Sequence, residues 1–325
     1  HPLEISASSG VTFYPNDNEV IDTLLRHADQ AMYQAKLTGR NRYQLYDQGE
    51  DQRTILKHDR LKDIEIALEN NDFQLYYQPK VNMVTGVVFG AEALIRWIHP
   101  EKGLIPPLDF LPIIEGTELE LKIGDWVINT ALTQLEQWNQ QGIKLEVSVN
   151  ISSNHLLSKT FFASLEAELA LHATVDPQYL QLEILESSAL GDLNAITAVI
   201  EICKGVLGVK FALDDFGTGY SSLTHLRSLP VDTIKIDQSF VRDLLDDASD
   251  YAIIDGVIGL SDSFNQYVIA EGVESINHGK MLLLMGCKNA QGYGIAKPMP
   301  AIDIPRWLND YMPNKEWLHI GNRHW

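Results

Sequence analysis

Residues 73–96 read FQLYYQPKVNMVTGVVFGAEALIR, and the fold turns on how this stretch is read. Two runs rich in β-formers, 73–81 and 87–96, are separated only by residues 82–86, a loop of hairpin length. Parallel neighbours need a crossover of a dozen or more residues, so the first strand is expected to run antiparallel to the second. Further along, short β-rich runs at 145–150, 180–185, 210–214, 233–236, 267–270 and 289–291 alternate with longer helical stretches. One of these, 125–141, carries Trp126, Leu132, Leu135 and Trp138 at helical spacing. Eight strands, intervening helices and about 250 residues predict an α/β fold: a (β/α)8 TIM-like barrel with an antiparallel first strand.

Upstream, residues 1–46 read as a small α+β N-terminal fragment. A strand is expected at 5–13 and a turn at Pro15-Asn16-Asp17-Asn18. A helix follows at 19–36, with Val20, Leu24, Leu25, Ala28, Met32 and Ala35 at helical spacing and Gly39 beyond its end. A last strand is expected at 42–46. Such a piece is too small to bury a core alone. Residues 51–70 are helical again, either a stiff connector or the first helix of the next domain. The expected division is a fragment at 1–46, a connecting helix at 47–71 and a barrel at 72–325.

Lys plus Arg number 25 against 44 Asp plus Glu, a formal net charge of −19. This excludes a grip on DNA or RNA through a broad basic surface, and an anionic substrate would need a local cation. Cys203 and Cys287 lie far apart without a CxxC pair, which points to a reducing compartment. No apolar run approaches the ~18 residues of a membrane span, and no signal peptide is visible. The start, HPLEIS, lacks an initiator Met and reads as an excised piece of a longer protein. A cytoplasmic location is expected, whatever anchor the longer protein carries.

Barrel enzymes place their chemistry at the C-terminal ends of strands. Those positions hold Glu92 and Arg96, Asn150, Glu183 and Glu186, Asp214 and Asp215, Lys235 and Asp237, Glu271 and Glu274, and Gln291. Any one acid is most simply a surface residue, but a rim of carboxylates in one cleft repels itself. Hard divalent cations, Mg²⁺ or Mn²⁺, prefer such oxygen donors, whereas zinc would call for His or Cys. Two ions ~3.5–4 Å apart form a clamp for in-line displacement at phosphorus. The segment Asp215-Phe216-Gly217-Thr218-Gly219-Tyr220 has GxG spacing but no third Gly opening a helix, so it reads as a loop over the site rather than a dinucleotide fingerprint. No HExxH, GxSxG or Walker lysine is present.

Together the strings Glu92-Ala93-Leu94-Ile95-Arg96, Asp214-Asp215-Phe216-Gly217-Thr218-Gly219-Tyr220-Ser221-Ser222, Ile234-Lys235-Ile236-Asp237 and Ala270-Glu271-Gly272-Val273-Glu274 resemble the EAL family. Tyr76-Tyr77-Gln78-Pro79-Lys80 and Gln291-Gly292-Tyr293 fit as well, and the resemblance covers about residues 72–312. It implies hydrolysis of cyclic di-GMP, a bacterial second messenger, to linear pGpG with two divalent cations, Mg²⁺ or Mn²⁺. It implies Glu92, Asn150, Glu183 and Asp214 as ligands of one metal and Asp215 as the bridge to a second. Glu271 is implied to support that second ion, and Lys235 to orient or deprotonate the attacking water. Arg96 is implied as a phosphate contact, Gln78 and Leu94 as base or sugar contacts, and Gln291 as a site-lining residue. Glu186 is implied to anchor the loop from Phe216 to Ser222, to which Thr218 belongs. One departure stands out: strand four reads Glu183-Ile184-Leu185-Glu186, with Leu185 where the family often has a hydroxyl.

Residues 1–46 resemble the C-terminal end of a GGDEF domain, through Ser9-Gly10-Val11, Ala28-Asp29-Gln30-Ala31-Met32-Tyr33-Gln34-Ala35-Lys36 and Gly39-Arg40-Asn41-Arg42. The signature motif and the GTP-binding half of that domain do not occur in the chain. Two readings compete with an active phosphodiesterase. One is a catalytically silent cyclic di-GMP receptor, which would normally have lost ligands that are all present here. The other is a metal phosphodiesterase acting on another nucleotide. The resemblance implies a homodimer paired near the fifth and sixth strands, a monomer being the alternative.

Overall fold

The computed structural model describes residues 6–15, 17, 19–37, 41–189, 192–217 and 229–324. The chain divides into two units, His1–Glu69 and Asn70–Trp325. In the first, strands Ser9–Val11 and Tyr43–Leu45 pair in parallel on either side of helix Ile21–Leu37, and helix Gln48–Glu69 follows. The strand expected at 5–13 is therefore three residues long, and Gly39 lies outside the described residues. Helix and strand approach so closely that a Cβ on Gly10 would collide with the Ala28 carbonyl, so only glycine fits. His27 stacks on Tyr46 at 3.9 Å and shares a 2.7 Å hydrogen bond with Asp17.

The second unit is a closed eight-stranded barrel. Its strands are β1 (Phe73–Asn82), β2 (Val88–His99), β3 (Glu146–Asn150), β4 (Leu180–Leu185), β5 (Lys210–Phe216), β6 (Thr233–Ile236), β7 (Tyr267–Ala270) and β8 (Asn289–Ala290). Pairing runs in chain order from β1 to β8, and β8 pairs back onto β1. Only the two partners of β1 are antiparallel within this ring, as the five-residue gap requires. Two short strands, Gly103–Ile105 on β2 and Met299–Pro300 on β1, extend the sheet.

Both faces of the strands are covered. On β1 the outward residues Phe73, Leu75, Tyr77 and Val81 are buried, while Gln78 and Lys80 point inward and are buried as well. Helix α1 (Glu118–Gln140) buries Leu119, Ile123, Val127, Ala131, Leu132, Leu135 and Trp138, a stripe at helical spacing. Trp138 meets Tyr77 edge-on at 4.8 Å. The helix starts well before residue 125, the expected start. Gly124 lies inside it because the His155 ring occupies the space a Cβ would need. No described helix is long and apolar enough to cross a membrane.

Candidate active site

The barrel interior is polar. Most (β/α)8 barrels fill it with Val, Ile and Leu. Here the inward positions of adjacent strands carry Glu92, Ser148, Glu183, Asp214 and Lys235, all buried. Registers bring them level: Glu92 pairs with Ser148, and Asn150 with Glu183. At the mouth, Glu271 follows β7 and Gln291 follows β8.

Lys235 stands at the centre, fully buried. Its Nζ lies 2.6 Å from Glu183, 2.7 Å from Glu271, 3.0 Å from Asp214 and 3.3 Å from Glu92. Burial alone would lower its pKa. The four carboxylates outweigh burial and hold its pKa well above the usual lysine range, so it is an ammonium. The acids respond unequally. Glu183 is pushed up to about 7 by burial and by the Glu92 and Asp214 charges, despite Lys235. Glu271 and Asp214 are raised chiefly by burial. Glu92 is lowered, because Lys235, Gln291, Asn150 and Lys80 outweigh its burial.

Adjacent strand residues normally face opposite sides of a sheet, so Asp214 and Asp215 should diverge. A bulge prevents this. Leu213 pairs with Ile234 and Phe216 with Ile236, so β5 spends one extra residue. Asp215 takes a left-handed φ of 53° there. The result is two overlapping triads: Glu92, Glu183 and Asp214, and Asp214, Asp215 and Glu271, each with ligand atoms within 4.8 Å of one another. Burial and the neighbouring Asp214 and Asp237 push Asp215 up to about 6.

The cluster fits divalent cations on two counts. With all five carboxylates ionised against the Lys235 ammonium, four negative charges remain, which two divalent ions would cancel. Glu183 Oε1 is also buried with no hydrogen-bond partner among the described residues, an acceptor that a cation would satisfy.

Other expected residues surround this core. Asn150 donates to Glu92 Oε1 at 2.8 Å. Gln291 donates to Glu92 Oε2 at 2.6 Å and to Gln78 Oε1 at 2.9 Å, and Gln78 donates to the Ala296 carbonyl at 2.9 Å. Arg96 and Leu94 lie half-buried on the inward face of β2 towards the mouth, with the Arg96 guanidinium over the Tyr76 ring at 5.7 Å. Glu186 accepts the Gly217 N–H at 2.8 Å, tying the start of the loop that follows β5. Thr218 lies outside the described residues. Leu185 is 40% exposed at the end of β4. Asp237 is an N-cap: it accepts from Ser239 N at 2.9 Å at the start of α2 (Gln238–Asp243). Sequence reading missed the bulge and the glutamine chain from Gln78 to Glu92. A doublet of acids at a strand end was the available signal for the bulge.

A closed barrel with one reversed strand and this carboxylate mouth matches a known class, and the chain belongs to the EAL domain family. The family model matches residues 61–298, and that of the diguanylate cyclase GGDEF domain matches residues 1–42. The chain is 38% identical over 302 residues to a Pseudomonas aeruginosa protein named bifunctional diguanylate cyclase/cyclic di-GMP phosphodiesterase MucR, covering 93% of this chain and 44% of the relative. It is 38% identical over 308 residues to Escherichia coli cyclic di-GMP phosphodiesterase PdeR, covering 94% and 46%. The chain thus spans about half the length of these curated relatives. Its structure is similar to that of the PaMucR phosphodiesterase in complex with c-di-GMP, with a TM-score of 0.72 and 38% identity over 76% of this chain and 99% of that one. It is also similar to the FimX EAL domain of P. aeruginosa bound to c-di-GMP, with a TM-score of 0.67 and 27% identity over 74% and 96%.

Proposed function

We propose that this chain hydrolyses cyclic di-GMP to linear pGpG, using two divalent cations held by its carboxylate cluster. The observation that carries the reading is the pair of overlapping triads around Lys235. Glu92, Asn150, Glu183 and Asp214 would hold one ion, Asp215 would bridge, and Glu271 would support the second. Bound there, Mg²⁺ or Mn²⁺ would stabilise charge on the phosphate and acidify water.

The chain's own groups do the rest. A water oxygen joins one phosphorus and gives up a proton, the P–O3′ bond breaks and O3′ takes up a proton. Lys235, central among the acids, would orient or deprotonate the attacking water. Arg96 offers a planar cation to the phosphate. Gln78, Gln291 and Leu94 line the side of the mouth where a base or sugar would rest. Glu186 fixes the loop after β5 through Gly217. Residues 1–46 form the GGDEF-like piece, 47–71 the connecting helix and 72–325 the catalytic barrel. The relatives named as cyclic di-GMP phosphodiesterases and the c-di-GMP complex of PaMucR support this reading.

The test is chromatographic. The chain is incubated with cyclic di-GMP and Mg²⁺ or Mn²⁺, beside EDTA and cyclic di-AMP controls. Metal-dependent pGpG is expected from cyclic di-GMP alone. Binding without product would turn the assignment to a silent receptor, and product from cyclic di-AMP would sink the specificity.

A further inference from the structure

Beneath the carboxylate cluster lies a second polar layer. Lys80 is fully buried on the inward face of β1. Its Nζ reaches Glu146 Oε1 at 3.2 Å and Gln181 Oε1 at 3.3 Å. Strand registers fix its height. Lys80 pairs with Gly90, two residues below the pairing of Gln78 with Glu92. Gln181 lies two residues below Glu183 on β4, and Glu146 two below Ser148 on β3. Two residues of strand are roughly 6.6 Å, so this layer is one step below the acids. Gly90 makes the room: a Cβ there would come within 3.0 Å of Lys80 Cε and 2.7 Å of the Glu146 carbonyl.

The charges of this layer do not balance. Glu146 also accepts from Lys210 at 2.9 Å, a half-exposed lysine that Asp232 attracts as well, so Lys80 shares its carboxylate with a second ammonium. A buried lysine that shares its counter-ion is costly. The acids above are the compensation, and the Lys80 charge favours the ionised forms of Glu92 and Glu183.

We infer that Lys80 is a positioning residue of the metal centre: a fixed cation under the carboxylate cluster that offsets its charge and weakens its hold on divalent ions. This rests on the reading of the cluster as a divalent-cation site. Electrostatics and mere structural support give opposite signs. Lys80→Met removes a positive charge below the site and is expected to tighten Mg²⁺ on the order of tenfold. Loss of a purely structural prop would loosen it. Glu146→Gln leaves two ammoniums without their carboxylate and is expected to weaken Mg²⁺ several-fold, so it serves if Lys80→Met fails to fold.

The experiment is calorimetric titration of Mg²⁺ alone into the full chain and both variants in alkaline buffer, with thermal melts to confirm folding. Opposite shifts in the two variants support the inference. Unchanged or weaker binding in folded Lys80→Met, or unchanged or tighter binding in Glu146→Gln, overturns it. Absence of Mg²⁺ binding by the unaltered chain would instead sink the metal-site reading itself.

Discussion

Replacing Lys235 by Met should separate the structural use of this ammonium from its chemical use. Met keeps the length of the side chain and removes the charge. Four carboxylates within 3.3 Å then lose their common partner inside the barrel. Removing one member of a buried ion pair costs about 3–5 kcal/mol. Glu183, Asp214 and Glu271 already hold protons more readily than ordinary carboxyls, so they can neutralise rather than stay charged, which keeps the cost from multiplying by four. The metal-free variant is therefore expected to lose about 3–5 kcal/mol near neutral pH and less in acid, where the freed carboxylates are protonated. Urea denaturation followed by circular dichroism, with and without EDTA, measures this. Saturating Mg²⁺ should restore most of the stability, since a cation again sits among the acids. It should not restore turnover, expected to fall about 10²–10⁴-fold if Lys235 positions water. A metal-free variant as stable as the parent would refute the electrostatic account, and full turnover in Mg²⁺ would refute the chemical role.

Three further outcomes are expected. Asp215→Asn should keep the fold, because Asn tolerates a left-handed φ, yet lose turnover with its charge; Asp215→Val should in addition cost about 1–3 kcal/mol of strain by thermal melt. A carboxyl with a raised folded pKa contributes stability that is full below its unfolded value and is lost as pH rises through the folded one. Glu183 at about 7 and Asp215 at about 6 thus predict that the EDTA-treated barrel loses stability from about pH 4 to pH 7, and that Mg²⁺ binding, which must displace those protons, strengthens across the same window in calorimetry. Glu186→Gln weakens the bond from Gly217 N and should lower kcat at least tenfold, with a thermal stability change worth no more than about 1–3 kcal/mol.

The barrel was legible because its strands are short apolar runs between long helical ones. The boundaries read at 180–185, 233–236 and 267–270 coincide with β4, β6 and β7. The reversed strand followed from the length of one loop. Helix α1 extends seven residues further upstream than the expected start at 125, and inside it Gly124 leaves room for the His155 ring. The metal-ligand candidates were legible as polar residues at strand ends, but their grouping was not. Asp214 and Asp215 converge through a bulge, and Asp237 turned out to cap a helix. The burial of Lys80 carried no signal in sequence, since a lysine in a strand is ordinarily an edge or surface residue and its burial depends on Gly90 across the pair.

The seam between β8 and β1 bears on the order in which the barrel assembles. β1 and β2 form a local hairpin, which can close in microseconds. The opposite pairing joins Asn82 to Asn289, 207 residues apart, and β8 contributes only Asn289 and Ala290 to it. Contacts of such separation form late, because the loop entropy must be met before they stabilise anything. The backbone amide of Met83, which donates to the Lys288 carbonyl across this seam, should accordingly be among the first in the sheet to exchange with deuterium. Gln291 follows β8 directly and bonds both Gln78 and Glu92. Closing the ring is therefore also the act that orients Glu92, and a chain caught just short of it would have a sheet without a finished centre.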